Sequence, residues 1–437
     1  MGLLKFRKTD IKRYVEKWSF RIGYRSIYEE AVLEIIDKVL REGDKAIAFY
    51  TKKFDGVNLE PKRFKLTDEE WERGIKSLEP QMKEVIDITA NRLENYYKKT
   101  VYNSWFSYDE FGNLLGVKIS PLKRILVYAP GGKAIYPSSV LMGAIPAKIA
   151  GVKEIMLTSP SKNGNISPAV LYAARKAGVT AVYRLGGVQA IAGFAFGTRN
   201  LPKVDKIVGP GNVYVATAKK ILFGKVDIDM IAGPSEVFII FDESADLNHV
   251  AFDMLSQLEH DEQALAIAVT FSGPEAKELE EILLREAKKS ERWKIIEKSL
   301  RNSAIMIVDT PLDAVSIANQ IAPEHLEICI KEPFWLLPYI ENAGAVFLGN
   351  NTPEAVGDYM AGPNHILPTG GTARFFSPLG VEDFIKRTSV ISFTREGLKS
   401  LGDKISYFAR YEGLFAHAKS VETRLMKVEN EDQEDFE

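Results

Sequence analysis

Arg124-Ile-Leu-Val-Tyr-Ala129, closed by Pro130-Gly131-Gly132, is one arginine, five apolar residues and then a turn. A short apolar run ending at glycine reads as a strand buried on both faces, the kind that parallel sheets use. The same texture continues downstream. The pattern predicts a helix over 138–150 ending at Gly151, a strand over 154–158 and a helix over 168–176. It then predicts a strand over 180–185, the turn Gly186-Gly187, a helix over 188–196, a strand over 205–208, the turn Gly209-Pro210-Gly211 and a helix over 212–222. Strands alternating with glycine turns and helices imply an α/β fold with a doubly wound parallel sheet.

A second series follows. Strands are expected over 237–240, 266–271, 304–308, 326–330 and 344–348, with helices over 246–264 and 312–321. Upstream, 27–50 carries apolar residues at helical spacing, and Thr67 with Glu70 forms a capping-box pattern. The expected organisation is an N-terminal helical region over 1–120 packing with the second module. The first α/β module takes 121–235 and the second 236–376. A C-terminal tail over 377–437 includes a small strand over 389–393 and a helix over 413–427, and the acidic stretch 429–437 reads as frayed.

The chain has 437 residues, with 57 Lys+Arg against 59 Asp+Glu, five His and one Cys. At ~150 residues per domain this suggests roughly three domains. The near-balanced charge argues against a general nucleic-acid binder. One cysteine excludes an intrachain disulfide framework and fits a reducing compartment. The first twenty residues are broken by charge, so no signal-peptide core is expected, and no run of apolar residues is long enough to cross a membrane.

Three glycine turns, at 130–132, 186–187 and 209–211, each stand between a strand and a helix. That edge of a parallel sheet binds ligands, and helix N-termini favour anions. None completes G-x-G-x-x-G, and such turns also serve as plain fold geometry. Gln257 and His260 are spaced to share a helix face, although a lone Q-x-x-H also arises structurally. Glu324 and His325 enter a strand and offer a general acid/base pair, provided Glu324 is still in the loop. Asp358 falls late in a short helix opening at Thr352-Pro353, with His365 in the loop 361–371 beyond it. Glu412 and His417 flank the start of the last helix, on a surface or docked on a second subunit. His249 reads as a surface residue and Cys329 as a buried strand residue.

Together these segments resemble the histidinol dehydrogenase family. The stretches are Val127–Lys133 with Tyr136–Met142, Gly186–Ile191, Val208–Asn212, Ile228–Glu236, Leu255–Asp261, Pro323–Ile328, Ala361–Thr369 and Glu412–His417, in the family's order. The resemblance implies oxidation of L-histidinol through L-histidinal to L-histidine with two NAD⁺, the last step of histidine biosynthesis. It implies one Zn²⁺ per subunit on Gln257, His260, Asp358 and His417, with Glu324 and His325 as the catalytic pair. Substrate would meet Ser235, Gln257, His260, His325, Asp358, Glu412 and His417, and NAD⁺ would meet Tyr128, Gln189 and Asn212. It further implies a cytoplasmic homodimer whose C-terminal segment reaches the partner's site. A zinc hydrolase and a non-enzymatic metabolite-binding relative are the competing readings.

Overall fold

The computed structural model describes Val15, Trp18 and residues 27–131 and 135–434, with side chains of the last helix described as far as Lys427. Gly132 and Lys133 of the first glycine turn and most of the first twenty residues lie outside the described residues, as do 435–437.

Helices α1 (Glu29–Glu42) and α2 (Asp44–Asp55) replace the single helix expected over 27–50, because Gly43 takes a φ of +55° between them. Next come α3 (Asp68–Lys76), opened by the Thr67–Glu70 capping box, and α4 (Pro80–Tyr97), which starts with proline in its first turn.

The first α/β module holds β3 (Arg124–Tyr128), α5 (Pro137–Ala150), β4 (Glu154–Thr158), α6 (Pro168–Lys176), β5 (Ala181–Tyr183), α7 (Gly187–Phe196), β6 (Lys206–Val208), α8 (Val213–Leu222) and β7 (Asp227–Ile228). Its all-parallel sheet runs β5-β4-β3-β6-β7. The second module holds β8 (Glu236–Phe241), α9 (Leu247–Leu258), β9 (Leu265–Thr270), α10 (Gly273–Ala287), α11 (Trp293–Ser299), β10 (Ala304–Ile307), α12 (Pro311–Ile321), β11 (His325–Cys329), β12 (Ala345–Leu348) and α13 (Glu354–Tyr359). Its sheet is also parallel and runs β10-β9-β8-β11-β12. The two modules therefore share one strand order, with the chain reversing direction beside the first strand of each.

The N-terminal helices pack on the first module, not the second. Val32, Ile36, Ile47 and Tyr50 share a core with Ile191, Phe194 and Ile207, while Trp71, Ile86 and Leu93 join Val127, Leu141 and Leu171. The apolar face of an amphipathic helix marks that it is buried but carries no record of which sheet covers it. Val15 and Trp18 do enter the second module's core, beside residues such as Phe238 and Leu326.

Residues 102–121 and 385–437 form a separate compact unit. There β1 (Trp105–Tyr108), β2 (Leu114–Pro121) and β13 (Ile385–Ser392) make an antiparallel sheet, followed by α14 (Arg395–Tyr411) and α15 (Phe415–Glu434). The acidic stretch is thus helical as far as Glu434 rather than frayed. β1 and β2 had no counterpart in the sequence reading: Trp105, Phe106 and Tyr108 are all exposed, so the strands lack the clean burial alternation that marks a half-covered sheet. Among the described residues no helix is long and apolar enough to cross a membrane.

Candidate active site

Both modules bring chemistry to an edge of their sheet, and they use opposite edges. In the first module it lies at the C-terminal ends of the strands, where α5, α7 and α8 begin. Tyr128 ends β3 in the core, and its hydroxyl accepts the backbone N–H of Gly187 at 3.2 Å. Burial pushes its phenol up to about 12. Gln189 sits in the first turn of α7, almost wholly buried, with its amide oxygen lacking any hydrogen-bond partner. An orphaned acceptor facing a glycine turn is costly unless a ligand donates to it. Asn212 caps α8, its Oδ1 accepting the N–H groups of Tyr214 and Val215 at 3.1 Å each, and it is exposed. Three helix N-termini at one edge favour an anion such as a pyrophosphate.

In the second module the chemistry lies at the N-terminal ends of β8 and β11. The strand begins at His325, so Glu324 remains in the loop and both side chains can serve one site. They share a single peptide anchor. The N–H of Glu236 donates to Glu324 Oε2 at 2.9 Å, and His325 Nδ1 donates to the Glu236 carbonyl at 2.9 Å. That second bond fixes the proton on Nδ1 and leaves Nε2 as the acceptor. Nε2 looks toward Glu354, 4.0 Å from its Oε1. His325, Glu354 and Asp358 each offer a ligand atom, all within 4.8 Å of one another.

Glu354 was not among the sequence candidates. The signal was its spacing of four from Asp358 just after Pro353, which puts both carboxyls on one helix face. Thr352, expected to cap this helix, instead bonds back to the Leu348 carbonyl at 2.9 Å, and Pro353 takes the cap position. Glu354 is buried. Its backbone N–H donates to Glu327 Oε1 at 2.8 Å, and its Oε2 accepts from the Ser256 hydroxyl at 2.8 Å.

The electrostatics follow from burial. Glu324 is pushed well above the usual carboxylate range by burial, with Glu236, Asp358 and Glu354 adding to the rise. Asp358 is pushed up to about 8 by burial and then by Glu354. Burial lowers His325. Burial works to raise Glu354, but His325, Ser256 and Gln257 outweigh it and hold that carboxyl below its ordinary value.

Gln257 is wholly buried on α9, and neither amide atom makes a well-formed hydrogen bond although it lies close enough to act on Glu354. His260 departs from the expectation that it shares a helix face with Gln257. Helix α9 ends at Leu258, and His260 stands exposed in the closing turn, its N–H on the Gln257 carbonyl at 3.1 Å. It is near enough to be felt by His325 and His365. Ser235, half-buried, immediately precedes Glu236. His365 ties the two modules together, its Nδ1 donating to the Asp358 carbonyl at 3.0 Å while Nε2 lies 3.4 Å from the Ser139 hydroxyl of α5. Burial lowers it to about 4. Cys329 lies buried at the far end of β11, about 13 Å from His325 at the usual strand rise, with its thiol pushed up by burial. Glu412, at the end of α14, and His417, in the first turn of α15, belong to the other unit and are exposed.

The chain that carries this carboxylate and imidazole on one peptide anchor matches known proteins over nearly its whole length. The sequence profile of histidinol dehydrogenase matches residues 24–425. The chain belongs to the histidinol dehydrogenase family. It is 50% identical over 398 residues to the histidinol dehydrogenase of Aquifex aeolicus, covering 91% of this chain and 92% of that one. It is 48% identical to that of Syntrophotalea carbinolica over the same shares. The crystal structure of histidinol dehydrogenase from Elizabethkingia anophelis superposes with a TM-score of 0.91 at 34% identity, covering 97% of this chain and 98% of that chain. Membership makes the chain an NAD-dependent oxidoreductase serving the last step of histidine biosynthesis.

Proposed function

We propose that the chain carries out the whole four-electron oxidation of L-histidinol to L-histidine, using a divalent metal and two NAD⁺ in turn. The observation that carries this reading is the shared anchor at Glu236, which holds the His325 ring by Nδ1 beside a buried Glu324 carboxyl and leaves Nε2 free to accept a proton. The unengaged Gln257 amide and the Asp358 carboxyl suit a borderline cation, and a set completed by His260 and by His417 of a second copy is the nitrogen–oxygen mixture that zinc takes. When bound, zinc would supply a template that fixes the substrate's pose.

His325 accepts the alcohol proton at Nε2 as hydride leaves the carbinol carbon for the first NAD⁺. The aldehyde stays enclosed. Glu324, acting in its ionised form, takes a proton from a water molecule that adds to the aldehyde, giving the gem-diol. His325 again accepts a proton as the second hydride leaves for a second NAD⁺. The balance is one alcohol, one water and two NAD⁺ giving one carboxylate, two NADH and three protons. General-base help of this kind is worth ~10²–10⁴ in rate. No thiol is required, in keeping with the inert Cys329.

Ser235, Glu412 and His417 would line the substrate, and Tyr128, Gln189 and Asn212 the NAD⁺. The exposed aromatics of the smaller unit, among them Trp105, Phe106, Tyr407, Tyr411 and Phe415, support a homodimer in which that unit docks on a partner. A cytoplasmic location suits a lone free cysteine.

The test follows NADH absorbance with L-histidinol and NAD⁺, before and after chelation. Two NADH per histidinol, abolished by chelation and restored by Zn²⁺, is the expected result. Turnover of substrate without NADH would replace this reading with a metal-dependent hydrolase.

A further inference from the structure

Lys219 and Asp229 form a buried ion pair that neither the catalytic pair nor the metal group uses. Lys219 lies in the last turn of α8 and Asp229 just past β7, with only 4% and 1% of their side chains exposed. Both also bond to one residue, Gly209. The Lys219 ammonium donates to the Gly209 carbonyl at 3.1 Å, and Asp229 Oδ2 accepts the Gly209 N–H at 2.7 Å. Asp229 Oδ1 meets Lys219 and also accepts the N–H of Met230 at 2.7 Å.

Gly209 is a demanding residue to hold. Its φ of +111° lies in the region that favours glycine, and a Cβ there would strike the Tyr128 carbonyl. The turn it opens ends at Asn212, the cap of α8. One ion pair therefore grips both polar groups of the residue that leads from the end of β6 toward the first turn of α8.

We propose that Lys219 and Asp229 are positioning residues for NAD⁺: they lock the Gly209–Asn212 turn in its cofactor-binding shape without touching the cofactor. The proposal rests on the reading that this turn meets NAD⁺. Lys219 is not itself an anion receptor, because Asp229 and the Gly209 carbonyl take up its charge. Nor is stability a sufficient reason for the pair, since apolar residues of like volume replace buried ion pairs at little or no cost. Such a replacement would leave Gly209's N–H and carbonyl without partners and the turn free to shift.

The test is the double variant Lys219→Met/Asp229→Leu in the full-length, metal-loaded protein, read by fluorescence titration with NADH and by steady-state kinetics. NADH affinity should fall and KM for NAD⁺ should rise by roughly tenfold, the worth of one charge-assisted hydrogen bond. KM for histidinol and metal content should stay unchanged. If the double variant does not fold, Asp229→Asn, which gives up one of two amide bonds, carries the same test at about threefold. Unchanged NADH affinity in a folded variant overturns the clamp, as does an equal loss toward both substrates, which would mark a merely structural pair. Asn212→Ala separates the two layers. If it weakens NADH and the clamp variant does not, the clamp alone is wrong. If neither weakens NADH, the turn is not the cofactor site and both ideas fall.

Discussion

The two α/β modules have the same strand order and put their chemistry at opposite ends of it. The first works at the C-terminal ends of its strands, where α5, α7 and α8 begin; the second works at the N-terminal ends of β8 and β11, where α9 and α12 finish. Helix N-termini carry partial positive charge and C-termini partial negative charge. One edge therefore suits a pyrophosphate and the other a cation. The usual rule places ligands at the C-terminal edge of such sheets. On the function proposed above the second module breaks it, with the buried acids Glu236, Glu324, Glu327 and Glu354 standing where the first module presents backbone N–H groups.

The comparison predicts that damage at one edge leaves the other edge's ligand alone. The largest effect belongs to His325→Asn, which removes the acceptor at Nε2 and should lower both oxidations by on the order of 10³. Zinc content and NADH binding should hold, and loss of NADH binding in this variant would merge the two edges into one. Next comes Glu324→Gln. Oxidation of supplied histidinal should fall about 10²-fold, and histidinol oxidation by much less. Equal losses in the two half-reactions would end the division of labour between Glu324 and His325. Smaller again is Gln189→Ala on the first edge. It should raise KM for NAD⁺ by about tenfold while metal content and KM for histidinol stay put, because only the orphaned amide oxygen is lost.

Legibility in the sequence also differed between regions. Parallel strands buried on both faces read as apolar runs, so both modules and their glycine turns were visible before the structure. Glu324 and His325 were visible too, because Pro323 ends one element and the apolar run begins the next. Glu354 was not, because an acid in a helix's first turn already has a local explanation in the helix dipole. In the smaller unit the strand expected over 389–393 falls on β13, but β1 and β2 escaped because they lack a buried face, and the seat of the N-terminal helices escaped because amphipathicity names a face but not its partner.

The smallest effect concerns stability and sharpens the electrostatic half of the comparison. Asp358 holds its proton to about 8 in the folded chain against 3.8 as its ordinary value, and Glu324 and Glu327 are also raised, all chiefly by burial. A raised acid binds a proton in the folded state that the unfolded chain has already released, so stability falls as pH climbs toward the folded pKa. His325 and His365 are lowered by burial and act with the opposite sign, but only below about pH 6.5, where the unfolded histidines begin to charge. Above that the acids act alone. The metal-free protein should therefore lose stability from about pH 7 to 8.5, by up to about 1.4 kcal/mol per pH unit for each acid titrating. A cation on Asp358 takes the proton's place and removes that acid's share of the slope. Thermal melts across this range, with chelator and with Zn²⁺, should diverge as pH rises. Parallel curves would mean that Asp358 does not face the metal and that the second edge is not the cation edge.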